Sequence, residues 1–205
     1  MAHQSVWFQT QLPVEIVNLI EKDCSLFENS LNHSALNGNV IAPDVRNSEN
    51  TWIGTEHWIA GFIWHYAMRA NRENFLYDLD GIDAESMQLT NYAEGQYYKW
   101  HVDSGISACY KPMQIASSSD PNPTDFISTN SEHIRKLSFT VQLSNYDEYT
   151  GGDFQLIDDH DKTYFAPKTK GTIVFFDSRS KHRVRKVTSG VRKSLVGWIV
   201  GPRWR

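Results

Sequence analysis

The sequence predicts a mainly β domain, a sandwich or barrel, with supporting α-helices at its N-terminal end. Three observations carry this. From Met87 onward the chain breaks into short runs of strand-forming residues separated by turn residues. Within that part, Leu137, Phe139, Val141 and Leu143 alternate with Ser138, Thr140, Gln142 and Ser144. Successive strand side chains point to opposite faces, so one side packs on an apolar layer and the other lines a polar interior. Before Met87 the apolar spacing is helical instead. A chain of 205 residues, 40% hydrophobic and 13% aromatic, is long and apolar enough for one domain with its own core. The expected organisation is a single domain, 1–205, with a helical support region over 1–80 and a β core over 86–201.

In chain order, Leu12 to Glu28 opens with Pro13 in a first-turn position and repeats Ile16, Ile20, Cys24 and Phe27, the stripe of an amphipathic helix. Residues 29–53 carry Asn, Ser, Gly38 and Pro43 with little periodicity, which predicts loops and a short strand near Val40 to Val45. Thr55 is placed to cap a second helix running to about Arg72, with Ile59, Phe62, Ile63, Tyr66 and Ala70 on one side. His57 and His65 within it read as satisfied or solvated histidines. Beyond the Leu137 strand, a Gly151-Gly152 turn, Phe154 to Ile157, Thr163 to Ala166, Thr172 to Phe176, His182 to Val187 and Arg192 to Val200 bring the count to about eight strands. Ser104 to Glu132 interrupts them. Its Ser117-Ser-Ser-Asp-Pro-Asn-Pro123 run can continue neither a helix nor a central strand. A long loop of this kind is either functional or disordered, and Tyr110, Met113, Ile115 and Phe126 give it apolar side chains to offer a bound chain.

Composition excludes several classes. A net charge of -4 gives no whole-molecule attraction to nucleic acid. Two cysteines, Cys24 and Cys109, are too few for a disulfide framework and point to a reducing, cytoplasmic setting. No run approaches a membrane span, and the polar start Met-Ala-His-Gln lacks the order of a signal peptide.

The candidate chemistry centres on His101-Val102-Asp103. In a strand, an i, i+2 pair converges on one side and can grip one ion. His182, which opens a later strand-like run, is the candidate third ligand. Two imidazoles and one carboxylate on one face leave coordination positions open, the arrangement of non-haem Fe(II) oxygenases. Ten residues after His182, past a Thr188-Ser189-Gly190 turn, comes Arg192, with Ser194 on the same face of its strand. A guanidinium fork of this kind recognises a carboxylate through two parallel hydrogen bonds.

These residues lie within an ordered set, Tyr92-x-x-Gly95-x-x-Tyr98-x-x-His101-x-Asp103, Arg135-Lys-Leu-Ser-Phe-Thr-Val-Gln-Leu-Ser144, Gly151-Gly-Asp-Phe154, Pro167-x-x-x-Gly171-x-x-x-x-Phe176, His182-Arg-Val and Gly190-x-Arg192-x-Ser194-Leu195-x-x-Trp198. Together with Arg46-x-Ser48 upstream, the set resembles the Fe(II)- and 2-oxoglutarate-dependent dioxygenases, in particular the prolyl 4-hydroxylase-like, PKHD-type branch. The resemblance implies a double-stranded β-helix, a cupin-like jelly roll. It implies Fe(II) on His101, Asp103 and His182, the 2-oxoglutarate distal carboxylate on Arg192 with Ser194, and Tyr92 beside the cosubstrate. It further implies dioxygen as oxidant, ascorbate to return stray Fe(III) to Fe(II), release of succinate and CO2, and a substrate lid over 104–132. Gln142 departs from the family, standing where many prolyl hydroxylases have a tyrosine on the distal carboxylate, a contact that Thr140 or Ser194 can replace.

The expected activity is hydroxylation of an unactivated C–H bond, with a Pro-containing peptide or protein as partner and no membrane or nucleic acid. The alternatives are an oxygenase of a small molecule or nucleic acid, to which the strip Arg179, Lys181, Arg183, Arg185 and Lys186 lends some support, and a non-catalytic ligand-binding jelly roll. The strip also fits a solvated basic edge strand.

Overall fold

A computed structural model describes residues 7–35, 41–105, 133–158 and 160–204. The chain begins with strand β1 (Trp7–Gln11) and helix α1 (Val14–Ser25). Pro13 sits just before α1, where a missing N–H costs nothing. The buried stripe of α1 is Val17, Ile20 and Cys24, with Ile16 and Phe27 packed at its margins. Short strands β2 (Asn32–His33), β3 (Arg46–Asn47) and β4 (Glu49–Gly54) follow; of the expected strand Val40 to Val45, the described residues 41–45 run into a turn over 43–45, and strand structure resumes at Arg46. Helix α2 (Trp58–Ala70) is capped not by Thr55 but by His57, whose Nδ1 accepts from the Ile59 amide at 3.4 Å. The helix then passes into one turn of π-helix over Asn71–Phe75. Its buried face, Ile59, Ala60, Ile63, Ala67 and Ala70, carries small residues where it meets the sheet, while Phe62 and Tyr66 flank it.

The β part comprises β5 (Gly81–Ile82), β6 (Ser86–Tyr92), β7 (Tyr97–His101), β8 (His133–Gln142), β9 (Tyr149–Gly151), β10 (Phe154–Ile157), β11 (Thr163–Phe165), β12 (Thr172–Asp177), β13 (His182–Val184), β14 (Val187–Gly190) and β15 (Arg192–Pro202). The count exceeds the expected eight because several strands are two or three residues long, below the length at which alternation is visible. One expected strand, His182 to Val187, is two: β13 ends at Val184, and β14 starts at Val187 and pairs with β9.

Two antiparallel sheets form the jelly roll. The larger runs β1-β12-β8-β15-β6-β4-β2, with β5 on the far end of β15, and the smaller runs β11-β10-β13-β7-β3. The outer face of the larger sheet carries Leu137, Phe139, Val141, Ile173, Phe175 and Leu195, packed on α1 and α2 in the main apolar core. Its inner face looks toward the smaller sheet across a second cluster that includes Val174, Phe176, Phe154 and Val184. β12 is therefore buried along its whole length, which is why it reads as a continuous apolar run. Gly197 lies opposite Phe139 across the strands, and a Cβ there would come within 2.7 Å of that ring. The bare backbone makes room for one of the two fully buried phenylalanines of the core.

The basic strip is not an edge. β13 is an interior strand between β10 and β7, where Arg183 donates to Gln155 Oε1 at 2.6 Å and lies over the Trp100 ring; beyond it Arg185 faces Asp153 at 3.5 Å, and Lys181, Arg185 and Lys186 are exposed. The expected lid over 104–132 lies outside the described residues apart from Ser104 and Gly105, as does Cys109.

Gly190 ends β14 with φ +74°, and a Cβ there would sit 2.1 Å from the carbonyl oxygen of Glu148. Since the next strand begins two residues on with Arg192, this close approach sets where that side chain starts. Gly190→Ala is expected to cost about 3 kcal/mol in chemical denaturation, from left-handed strain plus the backbone clash.

Candidate active site

His101 and His182 are direct partners across the β7–β13 pair, so the ladder brings two imidazoles to one face, with ring centroids 4.1 Å apart. Each ring has a fixed tautomer. His101 Nδ1–H donates to the Lys99 carbonyl at 2.8 Å and His182 Nδ1–H to the Ser180 carbonyl at 2.9 Å, because a carbonyl can only accept. Both Nε2 atoms then face Asp103, at 3.7 Å from Oδ1 for His101 and 3.4 Å from Oδ2 for His182.

Strand β7 ends at His101, so the pleat alone does not aim Asp103. The bend after the strand does so, with the amides of Asp103 and Ser104 both donating to the Ser178 carbonyl at 2.9 and 3.0 Å. Ser138 Oγ donates to Asp103 Oδ2 at 2.6 Å, and Ser178 Oγ, 2.9 Å away, is left to donate to Ser138. The larger sheet thus holds the carboxylate through its inward hydroxyls. Burial, and then the neighbouring His182, pull the His101 pKa down to about 3, so this ring is neutral at ordinary pH. Burial would raise the Asp103 carboxyl, but the two imidazoles and the Ser138 hydrogen bond hold it below the usual carboxylate range. Two imidazoles and one carboxylate, with ligand atoms all within 4.8 Å, form the one such group among the described residues. This donor set fits a divalent metal of the iron type, whose ligands must be deprotonated to bind.

The group opens into a cavity of about 670 Å³ between the sheets. Arg192 and Ser194 line it from β15, bonded to each other by Nη1–H to Oγ at 3.1 Å. Arg192 is 3% exposed, yet no carboxylate pairs with it among the described residues. Tyr92 is its cross-strand partner, with the guanidinium 5.7 Å from the ring centroid. Thr140 lines the same wall. Gln142 does not, because its amide is spent on the Tyr149 hydroxyl at 3.0 Å and the Ser144 carbonyl at 3.1 Å. At the mouth stand Tyr98, stacked on His101 with centroids 3.5 Å apart, and Trp52 and Trp198 at 6.2 Å. Arg46 lies over Tyr98, and Arg135 lies 3.9 Å above Trp198.

Sequence reasoning passed over two of these. Trp52 and Ser178 carry no metal-type or charged group, Tyr98 enters only as a member of the resembling set, and only the inward side of an alternating strand hinted at Ser138. His57 and His65 do not meet: His57 caps α2 near Asp23, and His65 packs on Tyr66.

A jelly roll with two histidines and an aspartate converging in its lumen, and an unpaired arginine in the same cavity, defines a class of protein with an open metal site. The chain belongs to the 2OG-Fe(II) oxygenase superfamily, whose family model matches residues 87–200, more than half of its length. That family takes its name from iron(II) and 2-oxoglutarate. Among curated relatives, a PKHD-type hydroxylase of Synechococcus sp. strain CC9902 is 34% identical over 117 residues, covering 56% of this chain and 40% of the relative. The chain spans less than half the length of the curated relatives it matches. Two solved structures share the fold. A Pseudomonas putida prolyl-4-hydroxylase has a TM-score of 0.68 at 17% identity, covering 94% of this chain and 91% of that one. A Trichoplax adhaerens prolyl hydroxylase in complex with a hypoxia-inducible-factor degradation-domain peptide has a TM-score of 0.69 at 15% identity, covering 94% and 82%.

The loop that carries Ser178 toward Asp103 is clasped by Asp177. Its carboxylate takes hydrogen bonds from the Arg179 amide at 2.8 Å and the Tyr77 hydroxyl at 2.7 Å, besides the Arg179 guanidinium. Burial would raise the Asp177 pKa, but the Arg179 and Tyr77 bonds hold it below the usual value. A depressed native pKa means stability that is present above the unfolded value and lost as pH falls through the native one. Stability measured by denaturation should therefore decline in acid, below about pH 4. In Asp177→Asn this part of the acid decline should be missing.

Proposed function

We propose that the protein is an Fe(II)- and 2-oxoglutarate-dependent dioxygenase that hydroxylates an unactivated C–H bond, with a peptidyl proline as favoured substrate. One observation carries this reading: the buried, anion-free Arg192 guanidinium shares a cavity with the His101, Asp103 and His182 group. A buried cation requires a counter-charge, and a dicarboxylate anchored on Arg192 and Ser194 would supply it while its other end reaches the metal. When bound, iron(II) with 2-oxoglutarate and dioxygen supplies the oxidising power for C–H hydroxylation, and the cosubstrate leaves as succinate and CO2.

The chain's own residues do the positioning. His101, Asp103 and His182 would hold the metal, and the carbonyls of Lys99 and Ser180 keep both imidazoles in the metal-binding tautomer. Ser138 and Ser178 fix the carboxylate rotamer. Tyr92 forms the wall beside Arg192, and the rings of Phe154 and Phe176, packed against His182, exclude water from that side of the group. Ascorbate would serve as the reductant that rescues oxidised metal.

The mouth supports a peptide. Tyr98, Trp52 and Trp198 offer ring faces to an apolar side chain such as proline, and the Trichoplax neighbour was solved with a peptide. A small-molecule substrate is the second reading, since a cavity of about 670 Å³ is of ordinary small-ligand size. Nucleic acid is disfavoured because Arg183 and Arg185 of the basic strip already have partners. Stimulated succinate formation across a panel of Pro-containing peptides, nucleosides and free amino acids tests these readings, and no 2-oxoglutarate turnover with any of them would reject the proposal.

His101→Ala, Asp103→Ala or His182→Ala should each abolish succinate formation while the circular dichroism spectrum stays native. Ser138→Ala should bind Mn(II) about tenfold more weakly, because the carboxylate is then free to turn. Arg192→Lys keeps the charge but loses the fork, so the dissociation constant for 2-oxoglutarate should rise by roughly ten- to a hundredfold in an anaerobic titration. An unchanged constant would place the distal carboxylate elsewhere.

A further inference from the structure

The tail that follows β15 returns to the metal site from outside the cavity. Gly201, still paired with Ile134 of β8, lies so near the Asp78 carbonyl that a Cβ would come within 1.9 Å of its oxygen. The strand end therefore runs tight against the segment that carries Tyr77, and Trp204 is laid over three side chains. Its ring meets the Tyr77 ring edge to face with centroids 4.6 Å apart, and it lies 4.2 Å from the Lys136 ammonium and 4.6 Å from the Arg179 guanidinium. Each of the three is one step from Ser178, whose carbonyl gathers the Asp103 and Ser104 amides. The Ser178 amide donates to the Lys136 carbonyl at 3.0 Å. Arg179 is its chain neighbour and donates to Asp177 on its other side, and the Tyr77 hydroxyl donates to that same carboxylate. The contacts of Trp204 thus converge on the turn that aims a metal ligand.

Two features set this indole apart from simple packing. Its Nε1–H is closed off from water with no hydrogen-bond partner among the described residues, a cost that phenylalanine or leucine would not carry. What only the indole supplies is the best of the aromatic faces for a cation. Both cations gain from it. Lys136 is 3% exposed, and a buried ammonium is costly without compensation. The Arg179 side chain is 32% exposed, and an ion pair that open is weak by itself. The ring covers the guanidinium and narrows the positions from which it can hold Asp177.

We propose that Trp204 is a positioning residue for the metal: by holding the Arg179 and Lys136 side chains, whose backbones flank Ser178, it fixes the carbonyl that aims Asp103. This rests on the metal site of the reading above and adds to it a residue that lines no part of the cavity. Asp103 is the ligand most open to such control. Each imidazole is oriented by a carbonyl two residues away in its own segment, Lys99 for His101 and Ser180 for His182. Strand β7 ends before Asp103, so the carboxylate takes its direction from the Ser178 carbonyl and the Ser138 hydroxyl. Outer partners of this kind act on metal affinity by limiting how far a ligand can turn.

The test compares Trp204→Leu and Trp204→Phe in the whole chain, well below the unfolding midpoint of each. Without cosubstrate, Mn(II) should bind Trp204→Leu about tenfold more weakly than the wild type. Trp204→Phe keeps a ring face for the cations and should recover most of that loss. The 2-oxoglutarate dissociation constant of the Mn(II)-saturated protein should stay within about twofold, because Arg192 and Ser194 are untouched. In an Asp177→Asn background, where the clasp that Trp204 acts through is already broken, Trp204→Leu should add nothing. Equal Mn(II) constants in the wild type and Trp204→Leu overturn the proposal. So does a loss of the same size with or without Asp177, since the ring then acts by general packing. Should Trp204→Leu not fold, Lys136→Met takes its place: it removes one cation from the ring and should weaken Mn(II) binding about threefold, and an unchanged constant overturns the proposal. His101→Ala is the separate control. Mn(II) binding that survives it strikes at the metal site of the dioxygenase reading and takes this proposal with it, whereas His101-dependent binding that ignores Trp204 strikes only here.

Discussion

The structure depends on keeping a polar surface inside a β sandwich. Two sheets normally meet through apolar side chains, yet here the inner face of the larger sheet carries Ser138, Thr140, Gln88, Thr90, Arg192 and Ser194. Such groups are costly to bury unless they are paired or face a ligand. The fold meets part of that cost internally, through Ser138 to Asp103, Gln142 to Tyr149 and Arg192 to Ser194. What stays unpaired faces the cavity. The outer face of the same sheet does the opposite work, burying Leu137, Phe139, Val141 and Leu195 against two helices. Stability is thus concentrated on one side of the sheet, which leaves the other free to hold chemistry.

The two sheets divide the site between them. The smaller sheet supplies both imidazoles through a single cross-strand pair, and the larger supplies the guanidinium and the hydroxyls that steer the carboxylate. Neither sheet alone makes a site. The turn from β12 to β13 links them, since Asp177 clasps it from one side while the Ser178 carbonyl gathers the amides of Asp103 and Ser104 from the other. That arrangement explains why a loop residue with no chemistry of its own sits among the most buried in the protein.

Local signals in the sequence were read well where a period or a residue type decides the outcome. The alternation through Leu137 to Ser144 told the core face from the lumen face, and the Phe154 strand was legible to the residue. Helix bounds and caps were less so. His57 took the cap from Thr55 because its ring can reach back to the Ile59 amide, a choice that depends on a rotamer and not on composition. The basic strip misled for a similar reason: its alternation suggested an edge strand, but β13 lies between β10 and β7, and Gln155 and the Trp100 ring from those two strands hold Arg183.

The sequence by itself determined the secondary-structure period, the side of each long strand that meets the core, and the residue types able to hold a metal and a carboxylate. These are properties of spacing along one strand or helix. Only the tertiary structure decided that His101 faces His182 across a ladder, that the Ser178 carbonyl aims Asp103, that Gln142 turns away to Tyr149, and that Gln88 and Thr90 are left with no partner among the described residues. Each of these depends on which strands become neighbours and in what register. Register is set by the packing of whole faces, and no local run of residues contains it.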